Sequence, residues 1–220
     1  MCYGARVEPD VPLDPRQRYA RAPRFPGEGP VDLRSVLDAS PSRIEIEVGP
    51  GRGGFMLGRL AARPDVGLIG VEIKRKWAVI VNERLARQGL SARGRVFAED
   101  ARLALPRLGP DGSATVIYFH FPDPWWKKRH QKRLVIGTEL LEQTARLLAP
   151  DGELFIQTDV EERAQLYETH LLAHPAFAPL GDAPKSARVA ENPYGASSHR
   201  EVRALADALP IHRLRFARRA

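Results

Sequence analysis

The stretch EIEVGPGRGGF, residues 45–55, decides the fold. It reads as the end of a buried strand, a turn and the start of a helix. Its glycines Gly49, Gly51 and Gly53 fit the pattern G-x-G-x-G, and Gly54 also permits G-x-G-x-x-G. Glycines are needed at such a turn because the backbone must bend sharply and approach a ligand closely at the helix N-terminus. The spacing alone is typical of a site for a dinucleotide or for S-adenosylmethionine (SAM).

The acid two positions before the first glycine discriminates between these two ligands. Glu47 would repel a pyrophosphate, whereas it would attract the ammonium group of a methionine moiety. SAM is therefore favoured over NAD. Glu72 ends the second predicted strand, 19 residues after Gly53, and suits the two hydroxyls of a ribose. Asp100 follows the third predicted strand and is placed to accept from an adenine amino group.

Strand-like and helix-like stretches alternate from Ser42 onward, a pattern that predicts a parallel sheet with helices on both faces. The three acids then fall at the carboxyl ends of successive strands, where open α/β sheets bind their ligands. The predicted strands are 44–48, 67–73, 95–98, 114–121, 153–158, 177–180 and 211–217. The predicted helices are 55–63, 76–88, 132–148 and 160–173.

The composition indicates one main domain with an N-terminal extension. The chain has 220 residues, of which 43% are hydrophobic and 28% charged, and no apolar run approaches the roughly 18 residues of a membrane-spanning helix. Residues 1–40 are rich in proline and show little periodicity, so we expect an N-terminal arm, partly extended or disordered, before a single domain at 41–220. Cys2 is the only cysteine, and the start lacks an apolar secretory segment, so we expect a cytoplasmic protein.

The formal net charge is +7, and part of the basic charge is concentrated in one segment after the fourth predicted strand. So many like charges at a ligand site repel one another, and the phosphates of a nucleic acid would relieve that repulsion. The histidines and the single cysteine show no metal-ligand spacing, so we predict no metal. The clustered cations are Lys127, Lys128, Arg129, Lys132 and Arg133.

The basic cluster belongs to the longer motif FHFPDPWWKKRHQKR, residues 119–133. In a sheet of this topology the fourth strand lies beside the first, so Asp123 borders the reactive sulfonium of the predicted cofactor. The residues DPWW also resemble the DPPY-type motif with which amino-group methyltransferases hold an exocyclic amine. Methylation of an adenine or guanine amine in a nucleic acid is therefore an alternative. A ring nitrogen such as guanine N(7) instead has an in-plane lone pair, and a carboxylate can stabilise the cationic product. Asp123 suits either chemistry.

These segments together resemble the bacterial tRNA (guanine-N(7)-)-methyltransferase family. The resemblance covers about residues 42–175 and rests on IEVGPGRG, GVEIKRKW, the acid in AEDA, FPDPWWKKRHQKR and the TD of IQTDVEERA. It implies a Rossmann-like class I SAM-dependent methyltransferase fold, with a mostly parallel seven-stranded sheet and an antiparallel C-terminal strand. It also implies methyl transfer from SAM to N(7) of guanine 46 in the variable loop of tRNA.

The resemblance further implies roles for individual residues by their positions in the motifs. Asp123 is implied as a cofactor ligand and as the catalytic residue, while Lys127 and Asp159 are implied as substrate contacts. Lys127 can hold a phosphate or a guanine acceptor. Asp159 can accept from N(1)–H and the amino group of guanine, which favours guanine over adenine. The other implied cofactor-binding residues are Glu47, Gly49, Gly51, Gly53, Glu72 and Asp100.

The C-terminal segment departs from the family pattern, which has a Thr-x-aromatic-Glu sequence. Ser198 keeps the hydroxyl and Glu201 keeps the acid, so we predict both as substrate contacts, but Arg200 replaces the aromatic residue. This change motivates an alternative, a catalytically weak tRNA-binding protein on a methyltransferase scaffold. A small-molecule methyltransferase is a third class, but it would not need the basic cluster. We expect tRNA as partner, no membrane association and no obligate protein partner.

Overall fold

The computed structural model describes residues 15–122 and 136–220, in which helices and strands alternate along most of the chain. A short 3₁₀ helix spans Leu105–Arg107. The strands are β1 (Val31–Asp32), β2 (Arg43–Val48), β3 (Val66–Val71), β4 (Gly94–Phe97), β5 (Leu108–Gly109), β6 (Ala114–His120), β7 (Leu148–Thr158), β8 (Phe177–Pro179) and β9 (His212–Arg218). The helices are α1 (Pro15–Ala20), α2 (Gly54–Ala62), α3 (Arg75–Arg87), α4 (Ala101–Ala104), α5 (Thr138–Leu147), α6 (Glu161–Ala173) and α7 (His199–Ala206).

The main sheet has seven strands in the order β4-β3-β2-β6-β7-β9-β8. The first five strands in this order are parallel to one another, whereas β9 is antiparallel to both β7 and β8. The chain therefore winds outward from β2 in one direction and from β6 in the other. The switch point lies between β2 and β6, and open α/β sheets bind ligands at the carboxyl ends of the strands there. The predicted fold class is confirmed.

Two hydrophobic clusters cover the two faces of the sheet. Consecutive residues of β3 belong to different clusters, Leu68 to one and Ile69 to the other, because side chains alternate between the faces of a strand. Leu68 shares its cluster with Phe55 of α2 and with residues of α3, while Ile69 shares its cluster with Leu140 of α5 and residues of α6. Helices thus bury both faces, and β3 is apolar along its whole length for that reason.

Every predicted strand is present, with ends that shift by a few residues. The largest shift is at β7, which begins at Leu148 and includes the Pro-Asp-Gly turn, where Asp151 has a φ of 61°. The sequence analysis did not assign α7. A signal for it exists in Ser198 and Glu201, which have the S-x-x-E spacing of a capping box, and the Ser198 side chain does accept a hydrogen bond from the Glu201 N–H.

The N-terminal segment is attached to the domain from α1 onward, where Arg18 pairs with Glu83 of α3. The ring of Phe25 stacks on Phe97 at a centroid distance of 4.1 Å, and the Ala98 N–H donates to the Pro23 carbonyl at 2.7 Å. Leu33 is fully buried in the main core. Part of the predicted arm is therefore packed against the sheet, and the division of the chain at residue 41 stays a prediction. Within the two described ranges, no helix has both the length and the apolar character that a bilayer crossing requires.

Candidate active site

The glycine loop follows β2 directly at the switch point. Gly49, Gly51 and Gly53 have φ values of 76°, 53° and 74°, a left-handed region that other residues adopt only with strain. Gly53 also lies against α3, because a Cβ at this position would come within 2.6 Å of Val81 Cγ1. The loop therefore requires glycine for its backbone conformation and for helix packing. It places the N-terminus of α2, which has no side-chain cap, at the carboxyl end of the sheet.

Glu47 lies beside this loop and is 1% exposed. Its Oε1 lies 2.9 Å from Nδ1 of His120, which ends the neighbouring strand β6. Its Oε2 is buried and has no hydrogen-bond partner among the described residues. An unpaired buried carboxylate oxygen has a substantial desolvation cost, which a cationic ligand would remove. Glu47 therefore fits the ammonium end of the predicted cofactor.

Glu72 connects the end of β3 to the glycine loop. Its Oε2 accepts from the Gly51 N–H and its Oε1 from the Lys74 N–H, both at 2.9 Å. Burial raises the pKa of Glu72, and the two backbone hydrogen bonds partly oppose that effect. Because a carboxylate has about four lone-pair sites, two remain for the hydroxyls of a ribose. The carboxylate thus fixes the loop and keeps acceptor capacity.

Asp100 lies at the carboxyl end of the sheet, but its carboxylate already has partners. It caps α4 by accepting from the Arg102 N–H at 3.0 Å, and it also pairs with the Arg102 guanidinium. The hydrogen bond from that guanidinium lowers the pKa of Asp100 below its ordinary value. An adenine amino group would therefore share this carboxylate with Arg102. The adenine contact of Asp100 stays a prediction.

A cavity of about 270 Å³ opens between the glycine loop and the start of α7. Its wall on the α7 side packs closely on α2, since a Cβ at Gly58 would lie 3.2 Å from Ala196 Cβ. The cavity brings together residues that are far apart in the sequence. Those with a predicted role are Glu47, Gly49, Gly51, Asp159 and Ser198.

Asp159 and Arg200 form an ion pair in the wall of this cavity. Asp159 follows β7 directly, and its side chain is 6% exposed, whereas that of Arg200 is 31% exposed. Arg200, which replaces the aromatic residue of the family pattern, therefore pairs with the carboxylate that the sequence analysis predicted to bind guanine. The sequence analysis did not predict this pair, and no sequence signal links two residues that lie on separate elements.

Ser198 and Glu201 have structural partners as well. The Ser198 hydroxyl accepts from the Glu201 N–H at 3.1 Å and so caps α7. Glu201 is buried and accepts from Gln157 at 2.8 Å and from Arg213 at 3.1 Å. These bonds hold α7 on β7 and β9. The substrate contacts of Ser198 and Glu201 stay predictions.

The predicted catalytic residue and the basic cluster lie outside the described residues. Phe121, the last residue but one before this gap, lines the cavity and has a φ of 51°. Its N–H donates to the Gln157 carbonyl at 2.7 Å. The described part of the FHFPDPWWKKRHQKR motif therefore ends at the edge of the cavity. The predicted residues in the gap are Asp123, Lys127, Lys128, Arg129, Lys132 and Arg133.

Solved structures of methyltransferases share this architecture. The structure resembles TrmN from Thermus thermophilus with a TM-score of 0.57 and 19% identity, covering 84% of this chain and 47% of that one. It resembles an rRNA methylase from Streptococcus thermophilus with a TM-score of 0.53 and 15% identity, covering 86% of this chain and 92% of that one. At these identities the comparison shows the shared fold.

Sequence relatives narrow the class to one family. A family model described as "Putative methyltransferase" matches residues 41–214. The tRNA (guanine-N(7)-)-methyltransferase of Anaeromyxobacter dehalogenans is 39% identical over 188 residues, which cover 85% of this chain and 91% of the relative. The chain belongs to the bacterial tRNA (guanine-N(7)-)-methyltransferase family.

Proposed function

We propose that the protein transfers a methyl group from SAM to N(7) of guanine 46 in the variable loop of tRNA. The observation that carries this proposal is the 39% identity to a tRNA (guanine-N(7)-)-methyltransferase over 85% of the chain. The methylated position, guanine 46, is implied by the resemblance of the FPDPWWKKRHQKR motif to that family. The protein acts in the cytoplasm, where its substrate is made.

The cofactor site is formed by the glycine loop and the acids at the strand ends. When bound, SAM supplies an electrophilic methyl group on a sulfonium ion. Glu47 holds the ammonium group of the methionine moiety with its Oε2, and Glu72 accepts from the ribose hydroxyls. The positive φ values of Gly49 and Gly51 let the backbone pass close to the ligand. Gly53 and Asp100 complete the site.

The substrate site adjoins the cofactor site in the same cavity. Asp159 accepts from N(1)–H and the amino group of guanine, sharing its carboxylate with Arg200. Ser198 and Glu201 support this wall, and Lys127 holds a phosphate or a guanine acceptor. N(7) carries its own lone pair, so Asp123 need not remove a proton and instead stabilises the developing positive charge. The tRNA backbone lies along Lys128, Arg129, Lys132 and Arg133.

Incubation of the protein with labelled SAM and unmodified tRNA tests this function directly. Nucleoside mass spectrometry is expected to identify 7-methylguanosine as the product. A matched tRNA with adenosine at position 46 is expected to remain unlabelled. Methylated adenosine, a guanosine methylated on its amino group, or no product with a tRNA that carries guanine 46 would contradict the proposal.

Asp159→Ala is expected to lower kcat/KM for tRNA by roughly 10- to 100-fold, because hydrogen bonds to a charged group contribute about 1.5 to 3 kcal/mol. The affinity for S-adenosylhomocysteine is expected to stay unchanged, since Asp159 is assigned to the base and not to the cofactor. Steady-state kinetics with tRNA, together with calorimetric titration of S-adenosylhomocysteine, measure the two effects. Glu162→Ala, which removes an exposed acid at the start of α6, is the matched control. Equal kinetics for the two variants would remove Asp159 from the substrate site.

A further inference from the structure

A basic surface patch borders the cavity where the glycine loop meets α3. It consists of Arg52, Lys76 and Trp77 and is called the Trp77 patch below. Arg52 Cζ lies 5.4 Å and Lys76 Nζ 5.5 Å from the centroid of the Trp77 ring, so both cations contact the same aromatic side chain. Arg52 also lines the cavity, while Lys76 and Trp77 belong to the first turn of α3. The patch therefore extends from the mouth of the cavity onto the surface of a helix.

No carboxylate neutralises the two cations of the Trp77 patch. Both residues are exposed, and neither forms an ion pair with any residue that the structure describes. Lys74 and Arg75, which are exposed as well, add two positive charges at the same end of α3. Exposed cations elsewhere do have acidic partners, as Arg63 has in Asp65. The patch is thus a local excess of positive charge.

The start of α3 is an unfavourable place for such an excess. A helix N-terminus carries partial positive charge, so acids stabilise the first turn and cations destabilise it. The first turn of α3 has no acidic residue, and Lys74 at its N-cap makes no side-chain capping hydrogen bond. The cations also repel one another. An external anion in contact with the patch would relieve both effects.

We propose that the Trp77 patch binds the phosphate backbone of the tRNA next to the methylated nucleotide. A polyanion fits better than a small anion, because the charges are spread over an exposed surface and not gathered in a pocket. The contact of Arg52 with the cavity places this surface beside the reaction. This inference rests on the proposed function, since it adds a second backbone contact to the segment after β6.

Binding of labelled tRNA, measured by fluorescence anisotropy at several salt concentrations, tests the patch. Arg52→Gln combined with Lys76→Gln is expected to weaken binding roughly 20-fold at about 0.15 M salt, the effect of losing two phosphate contacts. The slope of log K against log salt is expected to fall in magnitude by roughly 1.5, because each contact contributes about 0.7 to 0.9. Calorimetry with S-adenosylhomocysteine is expected to show unchanged affinity.

Arg87→Gln combined with Arg95→Gln is the matched control, because it removes two exposed cations and changes the net charge equally. Arg87 lies about 16 Å along α3 from Lys76, so the control is expected to retain wild-type affinity and slope. Equal losses in the two double variants would reduce the patch to general charge. Weaker binding of S-adenosylhomocysteine in the patch variant would assign Arg52 to the cofactor. Either result would overturn the proposal.

Chemical footprinting of the wild-type protein tests the patch without a substitution. Acetylation of lysines with an amine-reactive reagent, followed by peptide mass spectrometry, is expected to show that tRNA protects Lys76. Lys185, exposed after β8 at the opposite edge of the sheet, is expected to react equally with and without tRNA. Unprotected Lys76 would overturn the patch and leave the proposed function intact. Protected Lys76 without formation of 7-methylguanosine would support the patch and overturn the proposed function.

Discussion

Arg59→Met is expected to lower the free energy of unfolding by about 3 to 5 kcal/mol, because it leaves a buried charge without its partner. Arg59 of α2 donates to Glu45 of β2 through Nε at 2.9 Å and Nη2 at 2.7 Å. The two side chains are 6% and 0% exposed. Glu45 also accepts from the Tyr118 hydroxyl at 2.8 Å, and Arg59 donates to the Tyr194 carbonyl at 2.9 Å.

Arg59 stays protonated although it is buried. Burial alone would lower the pKa of Arg59, but the hydrogen bond with Glu45 raises it above the ordinary arginine value. Burial raises the pKa of Tyr118 well above its usual value, so its hydroxyl remains a donor to Glu45. Methionine at position 59 would remove the cation that compensates the carboxylate, and Glu45 would have to become protonated or draw water into the core.

Urea denaturation of three variants measures this effect and separates it from general changes in α2. Arg59→Met combined with Glu45→Gln removes both charges and keeps an acceptor for Tyr118, so it is expected to recover most of the lost stability. Arg63→Met, close by at the end of α2, breaks an exposed pair with Asp65 and is expected to have little effect. If Arg59→Met proves no more destabilising than Arg63→Met, the buried pair does not stabilise the fold.

The pair also helps to hold α2 beside the cavity. That helix begins at the glycine loop, and Arg59 attaches it to the Tyr194 carbonyl in the segment before α7. A Cβ at Gly54 would lie 3.3 Å from the His199 N, so the same helix also contacts the start of α7. The two walls of the cavity are therefore connected through α2, and we expect variants that loosen α2 to weaken cofactor binding as well.

The positions of the strands and their alternation with helices could be predicted because these signals are local. Runs such as Val66–Val71 are apolar throughout, and the glycines stand where the chain must turn. The acids of β2 show where local signals end. Glu45 and Glu47 alternate with isoleucine and valine, a pattern that in an antiparallel sheet would place them in solvent. Both are buried here, because α2 covers that face of the sheet.

The details of the site depend on partners that are distant in the sequence. Asp159 meets Arg200 only because β7 and α7 end at the same cavity, and the pattern of residues near either one does not indicate the other. His120 bonds to Glu47 only because β6 lies beside β2, and the residues around either one do not indicate the other. The acids could thus be predicted by motif, while their partners required the fold.

Asp123→Ala is expected to lower the rate of methyl transfer by roughly 100- to 1,000-fold, the range seen when one electrostatic stabiliser of a transition state is removed. The physical reason is charge. Attack by guanine N(7) leaves a cationic base, and a carboxylate beside it favours the charged product more than the neutral reactant. Asp123 comes two residues after Phe121, which lines the cavity beside Glu47. Because the residue is not assigned to the tRNA backbone, the affinity for tRNA is expected to change little.

Asp123→Asn separates the effect of charge from that of shape. If the carboxylate acts by electrostatics, asparagine and alanine will slow the reaction to a similar extent, because both remove the negative charge. If the residue mainly positions a ligand by accepting a hydrogen bond, asparagine will retain much of the wild-type rate. Single-turnover rates with saturating tRNA and SAM compare the three proteins without a contribution from product release. Wild-type rates in both variants would remove Asp123 from the mechanism, and the positive charge on the methylated base would then need another counter-charge in the cavity.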